Sequence, residues 1–451
     1  MKILKFGGNS IDTAAGLGRC AALIDRELPA GGLVVVSALG DGADTLRRAM
    51  AAAAQGQFAA ADQCQGTLER SHWQLAEGLG IERELRQPWE ALFQSLADLL
   101  KGMGLVGEAS PRSRDAALAV GETLAAHLLA ALLRHRGRSA GFRDVLEVMH
   151  TDDRHGRARP DLGALAAACG PWRRALDQGA LWVTQGFLGT APNGAVTTLG
   201  RGGSDTSATL LGEALGASEV QIWTEVDAIL SADPSLVPGA RHIPVLSLGE
   251  ASALSIFGGK VLHPDSLAPV RRSGLRLVVA NLHRPVDGRT EIRPQAPRRD
   301  PGEITSVAYK EGVCCLRLPP AQEPDLFERL FQAATRLQDT GASLYGLLAT
   351  PDGGLLVTRP ETPAAEAALQ ELAASGLTLE RGWAVVALVG EGLRQAPGRA
   401  LSLLAPLEGE PIAAILAGDT GVSLAFLIPE NRLFELVPRL HHHCVEKVAT
   451  P

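Results

Sequence analysis

Strand-sized apolar runs, separated by apolar residues at helical spacing, constrain the fold of this chain more than any other feature. "MKILKF" and "GGLVVVSALG" are rich in Val, Ile and Leu and bounded by glycines, as buried strands are. Between them, "DTAAGLGRCAALIDREL" carries apolar residues at helical spacing. Two parallel strands need such a crossover, so an α/β fold is expected, with a mainly parallel sheet sandwiched by helices. From Asp44 to about Ala140 the pattern is almost wholly helical. "GETLAAHLLAALLRHRG" is its clearest segment and ends at a glycine. "ALWVTQGFLGT" and "EVQIWTEVDAIL" return to strands on either side of the helical "DTSATLLGEALGA", and "LRLVVANL" is a further strand.

A boundary follows. "HRPVDGRTEIRPQAPRRDPGE" is dense in Pro, Arg and Gly, lacks periodicity and reads as a linker. Beyond it a smaller pattern appears twice. "ITSVAYKEGVCCLRL" (strand), "PDLFERLFQAATRLQ" (helix), "SLYGLLATPDGGLLVT" (hairpin) and "TPAAEAALQELAAS" (helix) are followed by "RGWAVVALVGEGL", "QAPGRALSLLAPL", "PIAAILAGDTGVSLAFLIP" and "ENRLFELVPRLHHH". Two strand–helix–hairpin–helix units of about seventy residues form a weak internal repeat. Each is expected to be a small antiparallel sheet covered by helices on one face. The expected division is a domain over 1–290, a linker over 291–303, and two small α+β domains over 304–380 and 381–451.

A chain of 451 residues exceeds one ordinary core, which agrees with several domains. A net charge of −7 argues against a nucleic-acid or anionic-membrane partner, because neutralising many phosphates requires a basic surface. The N-terminus lacks the basic and apolar pattern of a signal segment, and the longest apolar runs read as strand-sized, short of the ~20 residues of a membrane span. Six scattered cysteines without a metal-type pair fit reduced thiols and a cytoplasmic location.

Residues suited to chemistry cluster in glycine-rich turns. "ILKFGGNS" sets Lys5 before Gly7, Gly8, Asn9 and Ser10: a turn able to wrap an anion, or a plain strand end with an exposed lysine. In "TTLGRGGSDTSATLLGEALG" two threonines lead into Gly200, Arg201, Gly202 and Gly203, and Ser204 and Asp205 open a helix. Glycines let backbone N–H groups converge on a ligand, and a helix start adds partial positive charge. Arg201 offers a planar fork for a carboxylate or phosphate. The bland alternative makes Ser204 or Asp205 an ordinary N-cap. "WTEVDAILSADPS" places carboxylates just past a strand end, where open α/β sheets bind ligands, and "FGGKVLHPDS" adds Lys260 after another glycine pair. Cations, converging N–H groups and the carboxylates Glu122 and Asp205 together make the inventory of phosphoryl transfer. Neither a GxxxxGK[ST] motif nor a protein-kinase HRD set is present, so another architecture must carry it.

These segments are similar to those of the aspartate kinases of the amino-acid kinase family. The resemblance rests on "KFGGNS", "VVVSALGDGADTL", "GETLAAHLLAALL", "TDDRHGRARP", "TQGFLGT", "TTLGRGGSDTSATLLGEALGA", "IWTEVDAILSADP" and "FGGKVLHPDSLAPV", in family order over residues 1 to about 290. The C-terminal repeats resemble the family's tandem ACT regulatory domains, most closely at "VALVGEGLRQAPGRA". The resemblance implies ATP-dependent phosphorylation of the aspartate side-chain carboxylate to 4-phospho-L-aspartate, at the entry to lysine, threonine, methionine or related products. It implies that Lys5 stabilises the transferring phosphoryl group and Asp205 organises the catalytic lysines, Lys5 and Lys260. Gly7, Gly8, Ser10, Gly202 and Gly203 would line the phosphate side. Ser37, Thr45, Glu122, Arg201 and Ser204 would hold aspartate, with Arg201 at its α-carboxylate and Glu122 at its ammonium. Thr224, Glu225 and Lys260 would contact the nucleotide, whose phosphates Mg²⁺ would bridge; no residue is assigned as a protein ligand to the metal. An amino-acid effector at the ACT domains and a homodimer or larger assembly would complete the picture.

The chain departs from the family pattern at Asn9 (usually Thr), Glu225 (Asp), Ala228 (Gly) and Ser235 (Arg). The stretch "LAGDTGVSLAFLI" lacks the family's Ser-Glu effector pattern, so weak or absent inhibition by lysine is expected. Two alternatives stay open: a non-catalytic, amino-acid-sensing subunit, and a kinase of another small amino-acid carboxylate. Three bland readings are also made. "HHHC" at 441–444 is expected to be a solvated helix end, Cys314 and Cys315 core residues, and "RELRQPWEALFQSLADLL" a helix pair in a structural insertion.

Overall fold

A computed structural model of the chain describes residues 1–225, 229–258, 262–285, 288–296, 300–319, 326–350, 353–396, 398, 402–418 and 421–446. The chain forms two compact units. The first comprises Met1–Ala228 and Val261–Pro294, and the second Ile229–Lys260 and Gln295–Pro451.

In the first unit, strands β1 (Lys2–Phe6), β2 (Gly32–Val36), β3 (Ala140–Phe142) and β4 (Leu181–Gln185) are followed by a short hairpin, β5 (Leu188–Thr190) and β6 (Val196–Thr198), and then by β7 (Glu219–Thr224). After β8 (Val245–Ser247), which falls in the second unit, come β9 (Arg276–Asn281) and β10 (Arg289–Arg293). The strands of the first unit run β3–β4–β2–β1–β7–β9–β10. All neighbours are parallel except β9 and β10. All five residues of β2 are buried, as expected of a Val-rich strand covered on both faces.

Helix α1 (Ala14–Glu27) makes the first crossover and starts where the Thr13 hydroxyl accepts from the Gly16 N–H at 3.1 Å. The long helical stretch resolves into α2 (Gly42–Ala54), α3 (Phe58–Gly78), α4 (Glu82–Val106) and α5 (Pro111–His135). The segment read as a helix pair is therefore the single helix α4, which continues through Pro88. Leu85, Trp89, Phe93, Leu96, Leu100 and Met103 lie three and four apart and are all buried, so packing of one face holds the helix across the proline. A second correction concerns α5. It contains a window long and apolar enough to cross a membrane, but 78% of that window is buried inside the protein. Its apolarity is that of a central core helix. Helices α6 (Leu162–Ala168), α7 (Gly170–Asp177) and α8 (Gly203–Leu215) complete the N-terminal run.

The second unit contains α9 (Leu248–Phe257) in its first segment; α10 (Pro264–Ser273) returns to the first unit. Its sheet is built from β11 (Ser306–Leu318), β12 (Ala342–Thr350), β13 (Gly353–Pro360), β14 (Thr378–Val389), β15 (Ala414–Ala417) and β16 (Ser423–Pro429). The order β12–β13–β11–β14–β16–β15 is antiparallel throughout, so each sequence repeat gives three strands in equivalent order and the two halves join at β11 and β14. Helices α11 (Leu326–Asp339), α12 (Pro363–Ala374) and α13 (Leu433–His441) accompany it. The turn between β12 and β13 and part of "QAPGRALSLLAPL" lie outside the described residues; the described end of the latter is a 3₁₀ turn at Ala405–Leu407.

Cys314 and Cys315 are both buried, as their strand position implies. The "HHHC" segment is corrected in part. His442 is exposed, but His441 and Cys444 are buried, and His441 Nε2 lies 2.8 Å from the Ser231 hydroxyl. The Val307 N–H donates to the Ser231 carbonyl at 2.8 Å, which fastens the 229–243 segment further into the second unit.

Candidate active site

The C-terminal ends of β1, β2, β4 and β7 carry the loops that hold most of the candidate residues, the usual ligand edge of a parallel sheet. Lys5 is not the exposed strand end of the bland reading: it is 8% exposed, and its Nζ lies 2.7 Å from Asp205 Oδ1. Asp205 is not a cap either. Helix α8 is entered from Gly202 without a side-chain cap, and Asp205 stands in its first turn facing Lys5. Strand β1 and helix α8 thus bring together a cation and a carboxylate two hundred positions apart in sequence.

The glycines fit this arrangement. A Cβ on Gly7 would lie 3.9 Å from Lys5 Nζ and 4.0 Å from the hydroxyl of buried Ser10, so the bare backbone stands beside the ammonium. A Cβ on Gly8 would come within 2.2 Å of the Ala38 carbonyl oxygen, which only glycine avoids. Gly202 has φ 71°, and a Cβ there would lie 2.3 Å from that of His263; one on Gly203 would strike the Phe187 ring at 2.6 Å. Half-buried Ser204 packs against Gly186.

Glu122 projects from α5 into the interior and is 6% exposed. Burial pushes its carboxyl up to about 8, opposed by a hydrogen bond from the Ala38 backbone and by the charges of Lys5 and Arg47. Its Oε2 has no hydrogen-bond partner within the protein. A buried carboxyl oxygen without a partner in the protein is placed to receive a hydrogen-bond donor from a ligand. Ser37 is half-buried after β2, and buried Thr45, in the first turn of α2, accepts from Arg48 at 2.8 Å. Arg201 is exposed on its turn. Thr224 ends β7, its carbonyl accepting from the Leu282 N–H at 2.8 Å, and Glu225 lies 3.7 Å from His283 Nε2. Lys260 lies outside the described residues.

A cavity of about 540 Å³ opens beside these loops, lined by Asn9, Asp12, Asp41, Thr45 and Glu225 and walled by Ser71 and His72 of α3. Burial, and then Glu225, raise the Asp12 carboxyl above its usual range. Lys5, Glu122, Arg201 and Asp205 are not in its lining. Among the described residues no group of three or more His, Cys, Asp or Glu side chains is placed to hold a metal ion.

Three features of the site carry no signal in the local sequence. Phe187 has φ 69°, and its N–H donates to the buried Ser207 hydroxyl at 2.9 Å. A bulky residue in that region costs about 1–3 kcal/mol and marks a turn fixed by its surroundings. His263 is held below its usual range first by burial; Asp265 opposes this and Arg201 adds to it, which sets the imidazole near the Arg201 turn. His72 is buried, with Nδ1 2.7 Å from the Leu68 carbonyl, and its burial lowers it to about 4.

A lysine–carboxylate pair in glycine-rich turns on the ligand edge of a parallel α/β sheet defines an anion-handling site of phosphotransferase type. The model of the amino acid kinase family matches residues 1–281. Lysine-sensitive aspartokinase 3 of Escherichia coli (strain K12) is 31% identical, over 98% of this chain and 99% of its own length. The crystal structure of E. coli aspartokinase III in complex with aspartate and ADP (R-state) superposes with a TM-score of 0.85 at 30% identity, covering 98% of this chain and 99% of that one. Its complex with lysine and aspartate (T-state) gives a TM-score of 0.80 at 30% identity, with 99% of each chain covered. The chain belongs to the amino acid kinase family and, within it, to the aspartokinases.

Proposed function

We propose that this chain is an aspartate kinase, transferring the γ-phosphoryl group of ATP to the side-chain carboxylate of L-aspartate. The observation that carries this reading is the Lys5–Asp205 pair with the buried, unpartnered Glu122 oxygen close enough to Lys5 for the two charges to interact. An aspartate carboxylate oxygen attacks the γ-phosphorus, the bond to the bridging oxygen breaks, and ADP leaves with that electron pair. Lys5 meets the charge on the transferring oxygens, and Asp205 orients the ammonium. Backbone N–H groups near Gly7, Gly8, Ser10, Gly202 and Gly203 line the phosphate side. Glu122 takes the substrate ammonium, Arg201 its α-carboxylate, and Ser37, Thr45 and Ser204 complete that pocket. Thr224, Glu225 and Lys260 serve the nucleotide; magnesium carried on its phosphates would supply charge neutralisation there. The test is acceptor-dependent ADP release: aspartate supports it, and glutamate and buffer alone do not.

Glu122 makes this reading pH-sensitive. Its carboxyl is raised, so its contribution to stability is fully present below about 4.5 and is lost as pH rises through about 8. The charged form, which attracts an ammonium, predominates only above that upper value. Between pH 6 and 8, kcat/KM for aspartate is therefore expected to climb by up to about tenfold per unit and then level off. Glu122→Gln removes this rise. A wild-type profile that is flat across this range contradicts the assignment.

Residues 1–290 form the catalytic domain in this reading, and 304–380 and 381–451 two ACT-like regulatory domains that bind an amino-acid effector. Of the effector stretch "AGDTGVSL", Ala417 to Leu424, all but Asp419 and Thr420 are described. With no glutamate there, lysine is expected to inhibit weakly, and threonine or a pathway product takes its place. β12 and β15 end the second unit's sheet and expose Leu347, Leu348 and Ile415, which supports self-association into at least a dimer. Titration of activity with lysine, threonine and both, beside a sizing measurement, checks both points. Strong inhibition by lysine alone or a monomer at assay concentration contradicts them. Free thiols at all six cysteines and the use of ATP and aspartate support a cytoplasmic setting.

A further inference from the structure

Asp115 stands at the N-terminal end of α5, is 2% exposed, and accepts four hydrogen bonds. The Thr198 hydroxyl donates to Oδ1 at 2.7 Å. To Oδ2 donate His155 Nδ1 at 2.8 Å, the Gly156 N–H at 3.0 Å and the Thr198 N–H at 3.2 Å. One carboxylate thus ties together the end of β6 and the strap at 155–158. The strap in turn lies against β6 and the turn beyond it. The Ala158 N–H donates to the Thr198 carbonyl at 2.9 Å. A Cβ on Gly200, whose φ is 81°, would come within 3.1 Å of the Gly156 carbonyl oxygen and 3.4 Å of Arg157 Cγ. Gly200 is the residue before Arg201.

Asp115 and Glu122 are seven residues apart on the same helix. That is two turns, so both lie on one face of α5, about 10 Å apart along its axis. One acid faces the site with an oxygen left for a ligand, and the other holds the turn that carries the guanidinium.

We propose that Asp115 is a positioning residue for substrate recognition, fixing the Arg201 turn at a set distance from Glu122 so that the ammonium and α-carboxylate of one α-amino acid are met together. The inference rests on the reading of this site as one that binds aspartate. It assigns no chemistry to Asp115, whose effect is carried by Thr198, His155 and the strap.

The test uses the full chain and the variants Asp115→Asn and Thr198→Val. Asp115→Asn keeps the shape but turns an all-acceptor group into one with an NH₂ facing donors. The KM for L-aspartate rises about tenfold, or ~1.4 kcal/mol, and the KM for ATP stays within about twofold. Thr198→Val moves it the same way by a smaller factor, and decides the matter if the Asn variant does not fold. 3-Aminopropanoate, which keeps the ammonium and the reacting carboxylate but lacks the α-carboxylate, is the discriminating probe. Its inhibition constant stays unchanged in both variants, because it does not use Arg201. Folded variants with an unchanged aspartate KM, a parallel rise for ATP, or an equal loss for 3-aminopropanoate would each overturn the proposal. A wild-type chain without aspartate-dependent ADP release overturns the reading of the site, and this proposal with it. An active wild type with unmoved variants overturns this proposal alone.

Discussion

Replacing Lys5 by alanine is expected to lower kcat by about a few hundredfold. Loss of one preorganised donor at a transition state costs roughly 3–4 kcal/mol, and no other described cation pairs with Asp205 in the ion pairs of this site. Lys5 is 8% exposed, and its alanine variant leaves the Asp205 carboxylate facing a space the ammonium had filled. Some loss of stability accompanies the loss of turnover. Lys5→Met keeps the aliphatic stem and removes only the charge, so it separates the two effects. Its kcat falls as far as that of the alanine variant, with a smaller drop in melting temperature. A methionine variant that turns over at the wild-type rate rejects the charge role of Lys5.

Arg201→Lys is expected to raise the KM for aspartate by roughly thirtyfold while the KM for ATP changes little. The guanidinium presents two parallel N–H groups to a carboxylate, and an ammonium cannot reproduce the pair, at about 2 kcal/mol. The glycines on either side make this side chain's backbone irreplaceable: Gly200 and Gly202 both have positive φ, and a Cβ on Gly202 would collide with His263. Arg201 itself is exposed, so its substitution disturbs the turn less than any change at its neighbours. Steady-state kinetics with each substrate varied in turn decides this. A rise confined to ATP would move Arg201 to the nucleotide side.

The parallel sheet was legible chiefly from β2 and β9, whose Leu and Val runs are those of strands covered on both faces. The Lys5 and Arg201–Asp205 turns were legible because glycine beside a charged residue leaves a local trace. What escaped was set by tertiary contact. Asp115 meets its partners 40, 41 and 83 positions away, and nothing in "SPRSRD" singles it out from the other surface-like charges of that segment. Phe187 adopts its unusual backbone because Ser207 and Gly203 close on it from α8. His441 looked solvated because adjacent histidines cannot all face a core, yet one of them does, and Ser231 receives it. The segment of α5 was legible as a helix, but its apolar runs, read as strand-sized, did not show that a window long enough to span a membrane would be packed inside the first unit around most of its circumference. The segment read as a helix pair is one helix because the buried face of α4 continues across Pro88.

The central claim is that the acceptor is the side-chain carboxylate of aspartate. Trapping the product tests it most directly. An acyl phosphate reacts with hydroxylamine to give a hydroxamate, whereas phosphorylation of a hydroxyl or amine does not. Incubation of the chain with ATP, magnesium, L-aspartate and hydroxylamine is predicted to give aspartyl hydroxamate in step with ADP, with none formed from glutamate. ADP release without hydroxamate, or hydroxamate from glutamate at a comparable rate, would contradict the account.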